Sequence, residues 1–221
     1  MEKKFKLAPS ILSADFSDLQ SALNICKKGG ADWVHIDVMD NQFVPNLTVG
    51  PLVVKALRNK TEKFLDVHMM VIQPEKLVEP FARAGADSIT FHIEAAEDPA
   101  SIIDLIKSCG CKAGLSIKPQ TPLSRIYPFL SEIDIILLMT VEPGFGGQGY
   151  IEGSNDRIKQ VRNYLNENCL TNVLIEVDGG VKLHNASEVI NSGANILVAG
   201  SEVFKSEDPV QTIKEFYKLA D

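Results

Sequence analysis

An α/β chain folded as a single (β/α)8 barrel, the TIM-barrel architecture, is what three observations in this sequence predict. Eight short apolar runs with strand composition recur along the chain. Segments of helical period lie between them, and several close on a glycine where a helix would stop. Spacings of roughly 20–40 residues between runs suit βα units, with no Pro/Gly/Ser-rich linker or low-complexity tract in between. Eight such units fill one barrel domain over residues 1–221, and a doubly wound open sheet is the structural alternative.

The elements follow in order. "LAPSIL" from Leu7 is the first run, and "DLQSALNICKKGGAD" after it has helical period and a glycine stop. "WVHIDVM" from Trp33 and "FLDVHMM" from Phe64 are apolar and β-branched, as interior strands are. "PEKLVEPFARAGAD" is again helical and ends on the same Gly-Ala-Asp punctuation, leading into "SITFHIE" from Ser88. "KAGLSIK" from Lys112, "IILLMTV" from Ile135 and "LIEVDGG" from Leu174 supply strands five to seven. "LHNASEVINSGAN" is the helix whose Gly-Ala-Asn end introduces the last run, "NILVAGS" from Asn195.

The composition narrows the function. With 221 residues, 45% hydrophobic and 23% charged, the chain buries a full core without staples. The formal net charge of −7 argues against a nucleic-acid or anionic-membrane surface and leaves a small molecule as the expected ligand. No stretch approaches the length of a membrane span, and "MEKKFKLAPSIL" lacks a signal-like apolar region, so a cytoplasmic location is expected. Cys26, Cys109, Cys111 and Cys169 show no zinc-type spacing and read as packing thiols.

Against this background the polar residues inside "VHIDVMD" stand out, because burying such groups without partners is costly. In a barrel they fall late in a strand, where side chains lean over the mouth. His35 and Asp37, two apart, share one strand face; His68 ends "FLDVH" and Asp178 ends "LIEVD". One such residue alone is more often a satisfied buried group, but four from three strands form a mixed N/O set suited to Zn²⁺, Fe²⁺, Mn²⁺ or Co²⁺. Asp66 shares the face of His68 and is expected to hold that imidazole. His92 is a weaker candidate, and His184, on a helix, has no expected role. Glycines cluster after strands six, seven and eight in "VEPGFGGQGY", "VDGG" and "VAGS", where backbone N–H groups can cradle a phosphate.

These motifs carry a resemblance. "LAPSILSADF", "VHIDVMD" with "FVPNLTVGP", "LDVHMM", "MTVEPGFGGQ", "IEVDGG" and "VAGS" follow the order and spacing of the ribulose-phosphate 3-epimerases over essentially the whole chain. The resemblance implies a barrel of the ribulose-phosphate-binding type. Its implied reaction interconverts D-ribulose 5-phosphate and D-xylulose 5-phosphate, a step of the pentose phosphate pathway. It implies one divalent metal per subunit, zinc foremost, held by His35, Asp37, His68 and Asp178, with no organic cofactor and a homo-oligomeric assembly. Asp37 is the implied proton acceptor and Asp178 the donor in the ribulose-to-xylulose direction, across an enediolate. Ser10 and His68 match positions that contact substrate, and Met39, Met70 and Met139 match the wall of the reacting sugar. Gly144, Phe145, Gly146, Gly147, Gly179, Gly180, Gly200 and Ser201 map onto the phosphate side.

Two departures stand out. Asn41-Gln42 replaces the usual Gly-His, although Asn tolerates a left-handed backbone. Lys118 stands where many bacterial members have Asn. A lysine ending a strand also raises a Schiff-base aldolase as a rival. The other rivals are a 3-epimerase for a different ketose phosphate, such as allulose 6-phosphate, and a non-catalytic phosphosugar-binding barrel. "NQFVPNLTVG" and "PGFGGQGY" are the expected mobile segments over the ligand.

Overall fold

A strand buried on both faces must sort its side chains twice, one set toward the helices and one toward the barrel axis. In the computed structural model, which describes residues 4–219, the eight runs do this. The strands are β1 (Lys6–Pro9), β2 (Trp33–Met39), β3 (Phe64–Met70), β4 (Ser88–His92), β5 (Lys112–Ile117), β6 (Ile135–Met139), β7 (Leu174–Asp178) and β8 (Ile196–Ala199). All pair in parallel, in the order β1-β8-β7-β6-β5-β4-β3-β2. The open ends of that order, β1 and β2, are joined by a single parallel bridge between Ser10 and His35. Residues 1–3 and 220–221 of the expected domain lie outside the described residues.

The helices are α1 (Leu19–Gly29), α2 (Pro51–Arg58), α3 (Val78–Ala84), α4 (Pro99–Ser108), α5 (Ser154–Glu167), α6 (Leu183–Asn191), α7 (Ser201–Phe204) and α8 (Pro209–Lys218). Their starts follow from local chemistry: Asp18, Asp98 and Asp208 accept from Ser21, Ser101 and Gln211 N–H groups, and α4 and α8 begin on proline. One unit departs from the expected alternation. Between β5 and β6 the chain makes two 3₁₀ turns, Leu123–Arg125 and Tyr127–Phe129, and no α-helix. Pro119, Pro122 and Pro128 each remove a backbone donor, and Pro119 and Pro122 also disfavour a helical conformation at the residue before them.

The Gly-Ala-Asp punctuation proves to be structural. Asp32, Asp87 and Asn195 each stand just before a strand, and their side chains accept the N–H of Leu7, Leu65 and Ile175 at the start of the preceding strand. Their own N–H groups return a bond to the same residue's carbonyl. Asp134 does the same for Ala113 without the glycine signature. The second residue of each of β1, β3, β5 and β7 is thus clasped at one rim. Each clasp is backed from outside, by Tyr217, Arg58, Arg162 and Lys112 respectively for Asp32, Asp87, Asn195 and Asp134.

Along the axis the interior changes character. The lowest layer is apolar, with Ala8, Trp33, Ile135 and Ile196 packed against Phe64 and Leu174. Above it the register places His35 beside Asp66 and Asp66 beside Ser88, all fully buried. One layer higher Asp37 pairs with His68 and Met139 with Asp178; Met39 and Met70 close the top. His35 and Asp37 of "VHIDVMD" therefore fill the barrel itself, while Asp40, just past β2, accepts the N–H groups of Phe43 and Ile72. No described helix is long and apolar enough to cross a membrane.

Candidate active site

His35, Asp37, His68 and Asp178 converge, with ligand atoms within 4.8 Å of one another. His35 Nε2 lies 3.6 Å from Asp37 Oδ1 and 3.9 Å from Asp178 Oδ2, and His68 Nδ1 lies 3.6 Å from each of those oxygens. These separations exceed a hydrogen bond, and both nitrogens are buried with no hydrogen-bond partner among the described residues. Two orphaned imidazole nitrogens facing two carboxylates make a donor set that suits a divalent cation. The residues present therefore fit such an ion.

Each neighbour helps hold this geometry. The Ser10 hydroxyl donates to Asp37 Oδ2 at 2.5 Å, which leaves Oδ1 turned to the cluster. Asp66 was expected to hold His68, but strand neighbours on one face lie along the barrel axis and its Oδ2 instead meets the adjacent strand's His35 Nδ1 at 2.7 Å, while Asp66 Oδ1 accepts from Ser88 Oγ. Thr140 Oγ1 donates to the carbonyls of Asp178 and Gly179 and so fixes the end of β7. Burial disfavours charge on His35, yet Asp37 beside it, with Asp66 and Glu176, holds its pKa well above the ordinary value. His68 is also raised: burial opposes the shift, and Asp178 and Asp37 outweigh it. Burial likewise opposes ionisation of Asp37, but His35 and His68 keep it well below the usual carboxylate range.

Glu176, on β7 and fully buried, was not among the expected residues. It stands two positions before Asp178, on the same strand face, so the alternation that identified His35 and Asp37 would have found it too. Its Oε1 is 3.4 Å from His35 Nδ1. Burial first, then the nearby Asp66 charge, pushes its carboxyl up to about 8. A raised folded-state pKa gives stability that is complete below the unfolded value, roughly 4.3, and is lost as the pH rises through about 8. In metal-free protein, Glu176→Gln should flatten this decline between pH 5 and 8, a difference of a few kcal/mol by urea titration. Parallel curves for the two proteins would contradict the assignment.

The cluster floors a cleft lined by Ser10, Asp37, Asp178, the three methionines and the glycine loops. Met39, Met70 and Met139 are buried in its wall, and Gly144, Phe145, Gly146, Gly147, Gly179, Gly180, Gly200 and Ser201 ring its far side. His68 is fully buried beneath and is absent from that lining. Gly180 and Gly200 N–H groups donate to nothing among the described residues. At Gly180, φ is +66° and a Cβ would meet the Tyr150 backbone nitrogen at 2.5 Å. Gly180→Ala should therefore cost about 2–3 kcal/mol, lowering Tm by roughly 5–10 °C, and raise KM about tenfold. Calorimetry and initial rates check this.

The two expected mobile segments touch: Asn46 Nδ2 donates to the Gly144 carbonyl at 2.9 Å. Asn41 adopts the left-handed conformation expected of it, with φ 57°. Lys118 Nζ lies 4.0 Å over the Phe43 ring and is not part of the cleft lining, which gives a Schiff-base reading no support. His184 is exposed on α6. His92 sits behind His68, with Nε2 atoms 2.9 Å apart, and burial pushes it down to about 4, so it is neutral.

The model of the ribulose-phosphate 3 epimerase family matches residues 6–204. The chain belongs to that family. The ribulose-phosphate 3-epimerase of Bacillus subtilis (strain 168) is 48% identical over 210 residues, covering 95% of this chain and 97% of that one. The Serratia marcescens protein of the same name is 50% identical, covering 93% and 98%. Among solved structures, 3-hexulose-6-phosphate synthase superposes with TM-score 0.69 at 20% identity over the whole of both chains. KGPDC from Streptococcus mutans gives 0.74 at 14%, covering 98% and 97%. At these identities the structures share the barrel alone. As a ribulose-phosphate 3-epimerase family member, the enzyme is an isomerase acting on carbohydrates.

Proposed function

We propose that the enzyme interconverts D-ribulose 5-phosphate and D-xylulose 5-phosphate with Asp37 and Asp178 as opposed acid and base. The observation that carries this mechanism is the meeting of two carboxylates from β2 and β7 at the floor of one glycine-ringed cleft. Inverting a carbon beside a ketone requires one group to remove its proton and another to return a proton on the opposite face. In the forward direction Asp37 takes the C3 proton and Asp178 delivers one; in reverse they exchange roles. Ser10, donating to Asp37 Oδ2, holds the acceptor in place. The methionine wall excludes water from the intermediate. Glycine N–H groups on the far side receive the phosphate.

His35, Asp37, His68 and Asp178 would hold one divalent cation, with zinc the first candidate for this N/O set. When bound, it supplies electrophilic stabilisation to the negative charge that develops on the sugar oxygens. Residues 1–221 form one epimerase domain in this reading. Four free thiols suit a reducing cytoplasm. Exposed Leu47 and Ile72, both beside Asp40, suit contact with a second copy of the chain.

A coupled assay on D-ribulose 5-phosphate, with stripped and zinc-restored protein, tests the function. Zinc-dependent turnover is expected. Folded, zinc-loaded protein that leaves this sugar unchanged would move the activity to another ketose phosphate.

A further inference from the structure

His35 and His68 both aim a bare nitrogen at the carboxylates, but their opposite sides are held differently. His35 Nδ1 meets the Asp66 carboxylate directly. His68 Nε2 instead meets another imidazole, Nε2 of His92, at 2.9 Å, with both rings fully buried. A hydrogen bond between two neutral imidazoles has one proton, so one ring donates and the other accepts. Which does so decides whether His68 can bind a cation at all. If His68 Nδ1 is to offer its lone pair, its proton must sit on Nε2, and His92 Nε2 must accept. The His92 proton is then on Nδ1.

His92 Nδ1 lies 3.2 Å from Glu94 Oε2. Glu94 cannot turn away, because its Oε1 accepts the Lys118 N–H at 2.9 Å and the Thr121 hydroxyl at 2.5 Å. One carboxylate thus serves three donors through two oxygens, and every donor faces an acceptor only when His92 carries its proton on Nδ1. We propose that Glu94 is a positioning residue: acting through His92, it fixes the tautomer of His68 that leaves Nδ1 free for the metal. The inference rests on the cation site described above. It assigns His92 the Nδ1–H form, against the Nε2–H form that predominates in free histidine.

The test uses full-length protein with ¹⁵N-labelled histidines, loaded with zinc, and reads long-range ¹H–¹⁵N couplings of the four rings. Zinc affinity is measured in parallel by chelator competition, for wild type and Glu94→Gln. The wild type should bind one zinc and show His92 as a neutral Nδ1–H ring. Glutamine keeps the shape but offers one acceptor atom to three donors. The variant should therefore bind zinc about 10–100-fold more weakly and show His92 shifted toward Nε2–H. Zinc bound to wild type with His92 as Nε2–H would overturn the relay and leave the metal site standing. So would a variant with unchanged affinity and an unchanged His92 signature. A wild type that takes up no zinc would overturn the site itself and the relay with it. If the variant fails to fold, the wild-type tautomer decides alone.

Discussion

Asp178→Asn will abolish epimerisation of D-ribulose 5-phosphate yet leave half of the proton chemistry in place. If Asp37 works on one face and Asp178 on the other, the asparagine variant can still remove the C3 proton and return it to the same face. In D₂O it should wash deuterium into C3 of D-ribulose 5-phosphate without forming D-xylulose 5-phosphate. Asp37→Asn should do the same to D-xylulose 5-phosphate and not to its epimer. Overall turnover in each should fall by at least 10³, since a positioned acid or base contributes 10²–10⁴ and each Asp is also a cation ligand in our reading. Mass spectrometry of the recovered sugars reads the outcome. Exchange of both epimers by one variant would mean that a single group serves both faces, and the two-carboxylate assignment would fail.

Stripping the metal should be nearly as severe. Activity is expected to fall 10²–10³ or more and to return with added zinc. A second effect is physical. The cluster occupies a layer of the barrel interior where most barrels place aliphatic side chains, so its ligands cost free energy to bury. An ion present at a thousandfold over its Kd would add about 4 kcal/mol, or roughly 10 °C in Tm. Binding needs neutral imidazoles, and in the metal-free site His35 and His68 hold their protons more tightly than ordinary histidines. Affinity should thus weaken as the pH drops, beginning above the ordinary histidine range. Chelator competition from pH 8 to 6 checks the sign; a flat profile would contradict it.

Most of this was legible in the sequence for a simple reason. Period-two alternation makes a buried polar residue conspicuous, so His35, Asp37, His68 and Asp178 declared themselves inside apolar runs. What escaped had a different kind of signal. Glu176 obeys the same alternation but was overshadowed by the Asp178 and glycines that follow it. Asp134 makes the same clasp as Asp32 and Asp87 without their Gly-Ala prefix, because the 3₁₀ crossover before it needs no helix stop. Glu94 ends the run "SITFHIE" read as strand four, but β4 stops at His92 and Glu94 lies in the 3₁₀ turn Ile93–Ala95, with its partners Lys118 and Thr121 more than twenty residues away. Only the closed sheet brings them together.

That closure has one more consequence. Of the eight junctions around the cylinder, the one between β1 and β2 has the least ladder, and its upper tie is the bridge from Ser10 to His35, reinforced by the Ser10 hydroxyl on Asp37. The lower end of the same junction is tied by Asp32 to Leu7. A gentle perturbation that parts the upper tie displaces His35 and Asp37, the ligand and the base we propose, together while the other seven junctions hold. The enzyme is built to lose its chemistry before its shape, and inactivation in mild denaturant should run ahead of the loss of helical signal.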